Sequence, residues 1–261
     1  LTKYKLTIEY DGTRYSGWQA QQYSKTVQGT ILKAAEQVFG NLKEIQGAGR
    51  TDAGVHALAQ IAHLVVAKEL PTKKIQFALN DLLPFDINIL SVEKVHERFH
   101  ARHSAISRSY IYQISKRRTA FGKEFVWWIK DELNVKAMQE AAKIFIGMHD
   151  FASFADKKLE KGETKCLVES VELAEVDELI LFRIRASHFL WKMVRRIVGT
   201  LVEVGRGNIS KEKIEFYLKK YSNEPAEFTA PPSGLFLEQI LYEKEKWNEA
   251  LVPAIPLSMR R

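Results

Sequence analysis

Cysteine occurs once in the 261 residues, at Cys166. An internal disulfide is excluded, and so is a zinc site built on cysteine thiolates. Long apolar runs are missing too: nothing reads as a membrane-spanning helix or a cationic amphipathic anchor. The chain does not open on the basic, apolar and small-residue succession of a secretory leader. These absences give the expectation of a protein of the reducing cytoplasm without membrane attachment. No Walker A sequence occurs, and the one glycine cluster has Asp52 where a dinucleotide fingerprint needs glycine. No cofactor is expected. His100 and His103 stand three apart, but no third ligand of the right type, no H-x-E and no C-x-x-C accompany them, so no metal is expected.

What is present is an ordinary folded composition, 46% hydrophobic and 11% aromatic. The length suits one large domain or two small ones. Thirty-nine basic against thirty-two acidic residues leave +7, which suits a polyanionic partner and puts nucleic acid ahead of a membrane surface.

The patterning is α+β throughout. KYKLTIEY (residues 3–10) alternates strictly, as a half-buried strand does. TVQGTILKAAEQVFG reads as a helix ended by Gly40, a short strand leads into a glycine-rich loop, and AQIAHLVV (59–66) reads as the strand after it. Pro71 opens a second helix and INILSVEKV resumes strand character, completing the β-α-β-β-α-β order of a ferredoxin-like unit. The second half repeats the rhythm. SRSYIYQI and EFVWWIK read as strands, and NVKAMQEAAKIFIG as a helix capped by Asn134. KCLVESVELAEV and ELILFRIRAS form a pair turning at Asp177; LWKMVRRIVGTLVEVG is a strongly amphipathic helix; Ser210 caps a short one; LFLEQILY is a closing strand. The expected domains are 1–100 and 101–261, meeting near FHARHSA.

Gly47, Gly49 and Gly54 surround Arg50-Thr51-Asp52 in GAGRTDAGVHA. Spacing alone leaves two readings open: a turn in which Asp52 caps a backbone N–H, or a carboxylate presented to a ligand that the backbone must approach closely. Arg98, His100, Arg102, His103 and Arg108, then Lys116, Arg117 and Arg118, accompany Tyr110 and Tyr112. Cations beside flat rings suit an RNA surface, but a solvated charged face reads the same way. On a helical wheel Arg195 lies at the edge of the apolar stripe and Arg196 further out. Arg195 either snorkels or holds a buried carboxylate ionised. Trp18, in GWQAQ, reads as a buried loop anchor.

Seven blocks in order, EYDGTRYSGWQAQ, TVQGTI, GAGRTDAGVHA, FHARHSAISRSYIY, GMHDFASF, HFLWKMVRRIVGTLVEVGRG and APPSGLFLEQI, carry a resemblance over nearly the whole length. The chain resembles the tRNA pseudouridine synthase A family. The resemblance implies two related ferredoxin-like halves with mostly antiparallel sheets flanking a central RNA-binding cleft, the first half carrying the catalytic loop. It implies isomerisation of uridine to pseudouridine at positions 38, 39 and 40 of the tRNA anticodon stem-loop, with tRNA as partner, no cofactor, and a homodimer. Asp52 then matches the catalytic aspartate and Arg50 the arginine that enters the RNA as the base leaves the stack. Tyr110 matches the tyrosine that stacks on the target base, Arg195 the basic partner of the aspartate, and Leu235 part of the pocket wall. His103 stands where phenylalanine is frequent, and Trp191-Lys192 replace more usual residues.

Overall fold

A computed structural model describes residues 1–156 and 163–257. Its contacts separate into two compact units. Unit 1 comprises Leu1–Ile106 with Phe236–Trp247, and unit 2 comprises Ser107–Leu235 with the residues from Asn248 on.

Unit 1 begins with β1 (Thr2–Tyr10), whose Tyr4, Leu6, Ile8 and Tyr10 are buried at period two. Helix α1 (Val27–Phe39) starts where the Thr26 hydroxyl accepts from Gly29 N at 3.3 Å and ends where Gly40 takes φ 73°. β2 (Leu42–Gly47), β3 (His56–Val66), α2 (Thr72–Leu82) and β4 (Ile87–Val95) follow. The strands lie in the order β4-β1-β3-β2, every neighbour antiparallel. This is the ferredoxin-like arrangement expected. β3 opens at His56 rather than at Ala59, and nine of its eleven residues are buried, so no period-two alternation marks it.

Unit 2 repeats the scheme. β5 (Ser107–Ser115) is its first strand, a two-residue β6 (Trp127–Trp128) pairs with it in parallel, and α3 (Val135–Ala142) follows. Asn134 Oδ1 accepts from Ala137 N at 3.0 Å, the cap its sequence predicts. A short β7 (Gly147–Asp150) precedes the hairpin of β8 (Lys165–Val176) and β9 (Leu179–Ala186), which turns through Asp177 at φ 52°. The order β5-β9-β8-β7 is antiparallel throughout. Helices α4 (Met193–Gly205), α5 (Lys211–Lys219) and α6 (Glu224–Glu227) come next. The last strand, β10 (Leu235–Leu241), belongs from Phe236 onward to unit 1, where it pairs in parallel with the start of β3.

Three expectations need correcting. EFVWWIK is not a full strand: a 3₁₀ turn at Lys123–Phe125 leaves two residues of ladder, and the Gln113 side chain takes the Phe125 carbonyl at 3.0 Å instead. The helix expected to run to Gly147 stops at Ala142, passing through a 3₁₀ turn into β7. Arg196, placed outward by the wheel, is 5% exposed, while Arg195 is only half-buried. The wheel assumes one packed face, whereas α4 is buried everywhere except at Arg195 and Glu203. Among the described residues no helix is long and apolar enough to cross a membrane.

Candidate active site

The connection from β2 to β3 carries Arg50 and Asp52, and its backbone is tied on both sides of the carboxylate. Before it, Ala48 N donates to Ile61 O at 2.7 Å and Gln60 Nε2 to Gly49 O at 3.0 Å. Beside it, the Thr51 carbonyl accepts from Trp18 N at 3.1 Å, and the Thr51 hydroxyl bonds the Tyr10 hydroxyl at 2.7 Å. After it, Val55 N donates to Asp52 O at 3.1 Å and Gly54 N to Tyr15 O at 3.3 Å. That Val55–Asp52 bond closes the turn through the backbone.

Two glycines have steric reasons to be there. Gly54 takes φ 78°, and a Cβ on Gly47 would lie 2.5 to 2.7 Å from the Trp18 indole. Gly49 differs: a Cβ there would meet nothing within 4 Å. Among the described residues its bareness has no packing cause, and it leaves the backbone open to close approach. Thr51 is buried, Asp52 half-buried, and Arg50 and Ala53 exposed, so the carboxylate stands where core meets solvent.

Under this loop lie Trp18, Tyr10 and His56. Trp18, 1% exposed, is the anchor its motif suggests. Tyr10 is fully enclosed, and burial pushes its phenol well above the ordinary value against the opposing hydrogen bonds of Thr51 and Gln60. It stays a neutral hydroxyl. His56, read as one of several scattered histidines, is 1% exposed and stacks on Phe236 at 4.8 Å. Its Nδ1 accepts from Gly12 N at 3.0 Å, which places the proton of a neutral ring on Nε2. Asp11 Oδ1 also lies 3.1 Å from Nδ1, but with that lone pair engaged the contact is proximity, and Asp11 accepts instead from Thr13 N at 2.9 Å. The signal was available: His56 ends the GRTDAGVH block, and Tyr10 and Asp11 begin the YDG one.

The other three residues singled out lie in unit 2. Tyr110, 8% exposed, sits on β5 opposite Ile184, with Phe189 edge-on to its ring at 5.0 Å. Arg195 occupies the first turn of α4. Its Nε donates to Ala230 O at 2.7 Å while Ala230 N donates back to the Arg195 backbone carbonyl at 3.0 Å. One turn on, a Cβ at Gly199 would come within 1.5 Å of Phe228 O, so only glycine lets the 228–230 segment lie against the helix. Leu235, 5% exposed, follows the Pro-Ser-Gly turn. Gly234 packs flat on Tyr112, whose hydroxyl donates to Pro231 O at 2.7 Å, and this holds Leu235 in place.

Arg196 points to a different segment. It donates to Ala155 O, and to Asp156 Oδ1 at 2.6 Å. Lys192, in a left-handed conformation at φ 62°, reaches the other oxygen of Asp156 at 2.7 Å. The three-apart pair His100 and His103 lies ring against ring at 4.2 Å, with His63 at 4.6 Å from His100. His100 Nδ1 accepts from Arg102 N at 3.2 Å and His63 Nδ1 from Ala101 N at 3.1 Å, so these nitrogens hold the loop together.

A family model described as tRNA pseudouridine synthase matches residues 6–104 and 141–243. Over 243 residues the chain is 40% identical to tRNA pseudouridine synthase A 2 of Bacillus anthracis, covering 92% of this chain and 99% of that protein. It is 42% identical to tRNA pseudouridine synthase A of Rhodopseudomonas palustris, over 93% of this chain and 100% of the relative. The corresponding protein of Aquifex aeolicus is 41% identical over 92% and 100%. Among solved structures, an archaeal box H/ACA sRNP Nop10-Cbf5 complex matches 87% of this chain and 59% of that one, at 10% identity and a TM-score of 0.37.

Proposed function

Because the chain belongs to the tRNA pseudouridine synthase family, we propose that it isomerises uridine at positions 38, 39 and 40 of the tRNA anticodon stem-loop, with Asp52 as its catalytic carboxylate. The N1–C1′ bond breaks, the base rotates and C5 joins C1′; the C5 proton leaves and N1 gains one. The reaction is redox-neutral and needs no co-substrate. Asp52 either attacks C1′ as a nucleophile or removes the 2′ proton to give a glycal. Both routes need the ionised form, which a guanidinium favours. Arg195 is assigned that part.

The observation that carries this reading is the setting of Asp52: a half-buried carboxylate on a backbone pinned on both sides, in the same loop as the open Gly49. A carboxylate carried on a pinned backbone suits work at C1′. The target nucleotide must leave its stack, at a cost of a few kcal/mol that aromatic stacking and phosphate contacts offset. Tyr110 is assigned the stacking face and Leu235 the apolar wall, while the exposed Arg50 is assigned the space the base vacates. A homodimer working in the cytoplasm completes the proposal.

Carbodiimide treatment followed by primer extension tests the site choice on unmodified tRNAs carrying single uridines at 38, 39 or 40. Enzyme-dependent stops at each of the three support it. Stops elsewhere in the tRNA would overturn the assignment of position while leaving the reaction intact.

A further inference from the structure

The turn that leaves β5 is not used by the chemistry above. Lys116, Arg117, Arg118 and Lys123 are all exposed along it. Phe121 projects from the same turn at 80% exposure, and Trp128 on the adjoining β6 is 42% exposed. The Arg118 guanidinium lies over the Trp128 ring, 6.0 Å from its centre. An aromatic ring so exposed gains little from its own fold, and cations laid against rings make a surface that accepts both a phosphate and a base face.

The turn is also folded in advance. The Ser115 hydroxyl donates to Arg117 O at 2.6 Å and Arg117 Nη1 to Arg118 O at 3.3 Å. The Thr119 hydroxyl accepts from Phe121 N at 3.2 Å and donates to Phe121 O at 2.7 Å. Gly122, at φ 69°, then starts the 3₁₀ turn, where Phe125 N donates to Gly122 O at 3.0 Å. Little ordering is left for a partner to impose. The four cations are not equivalent. Lys116 pairs with Glu175 at 3.1 Å, so part of its charge is already answered. The ring contact of Arg118 leaves its charge itself in place.

We infer that the Lys116–Lys123 turn with Trp128 is a second RNA-docking surface, in which Arg117 and Arg118 hold backbone phosphates and Phe121 stacks on an unpaired or terminal base. The inference rests on tRNA being the substrate, and it widens the footprint beyond the nucleotide that reacts. The occupant is RNA because its two chemistries, anionic backbone and flat base, match the two kinds of side chain that alternate along the turn.

The test measures tRNA affinity across a range of salt for wild type, Arg117→Gln/Arg118→Gln, Phe121→Ala and Lys116→Gln, with thermal unfolding as the check on folding. The double variant should weaken binding at least tenfold near 0.1 M salt and reduce the slope of log K against log salt by about 1 to 2. Phe121→Ala should weaken binding severalfold at an unchanged slope, and Lys116→Gln should have the smallest effect. Wild-type affinity and slope in both the double variant and Phe121→Ala would overturn the inference, and would point to a protein partner for this turn. Tritium release from tRNA labelled at uridine C5 separates this from the reaction itself. Release by wild type with unaffected binding by the variants sinks the surface alone. Weakened variants without release by wild type sink the reaction and keep the surface.

Discussion

Units 1 and 2 follow one plan, yet their second helices are treated in opposite ways. In α2, only Ile75 and Leu79 are buried, and Phe77 stands 63% exposed. In α4, every residue but Arg195 and Glu203 is buried, because α3, α6 and the 228–230 segment cover the sides that α2 leaves to solvent. A one-sided helix obeys its hydrophobic stripe. A helix covered on all sides must satisfy each polar group individually, and its arginines are placed by carbonyls and carboxylates. The units also differ in how they hold their candidate groups: unit 1 carries Asp52 on a pinned loop, and unit 2 carries Arg195 on a helix buried on nearly every side.

The sharpest way to break that comparison is to add one methyl group. Gly199→Ala puts a Cβ into the Phe228 carbonyl and should cost about 3 kcal/mol or more in urea unfolding. Phe77→Ala, on the exposed counterpart helix, should stay within about 0.5 kcal/mol. Similar losses in both would mean that α4 is not packed as described.

Next in size is the division between neighbouring arginines. Arg196→Ala leaves Asp156 with Lys192 alone and takes the donor from two carbonyls, and should destabilise by about 2 to 3 kcal/mol. Arg195→Ala should cost less in the same unfolding assay but far more in turnover. The reverse ranking would return Arg195 to a structural role.

Within unit 1 the loop glycines make a smaller version of the same contrast. Gly47→Ala meets the Trp18 indole and should cost about 2 kcal/mol. Gly49→Ala meets nothing, so its stability should stay within about 0.5 kcal/mol while kcat/KM falls. Full activity in Gly49→Ala would remove the argument that substrate approaches the backbone there.

The smallest effect is in pH. Burial holds His63 and His100 below the ordinary imidazole value. Their folded forms resist protonation more than the unfolded chain does. The stability they supply is therefore present above about pH 6.5 and is lost as pH falls below it. Urea midpoints measured from pH 7.5 to 5 should decline, and His63→Gln should flatten the decline. An unchanged slope in that variant would assign the titration elsewhere.

Much of this was legible beforehand because it rests on local chemistry. Alternation marks β1, Thr26 and Gly40 mark the ends of α1, and Asn134 caps α3, each through neighbours in sequence. The candidate residues were legible through motif order, since no spacing rule links Asp52 to Tyr110 or Arg195. What escaped depends on distant chain. β6 shrinks because Gln113 supplies the hydrogen bond that a longer ladder would have given. Arg196 turns inward because Ser153, Ala155 and Asp156 arrive from another segment. Phe236 and Leu237 join β3 in parallel, a pairing no hairpin signal announces. His56 looked incidental because its partner, the Gly12 N–H, lies far away in sequence.

The central claim is that Asp52 carries the chemistry rather than the turn. Tritium release from unmodified tRNA bearing [5-³H]uridine, compared between wild type and Asp52→Asn, tests it directly, because isomerisation must free the C5 hydrogen. The account predicts release by wild type, none by Asp52→Asn, and tRNA affinity retained within about tenfold. Release by Asp52→Asn at the wild-type rate would contradict it.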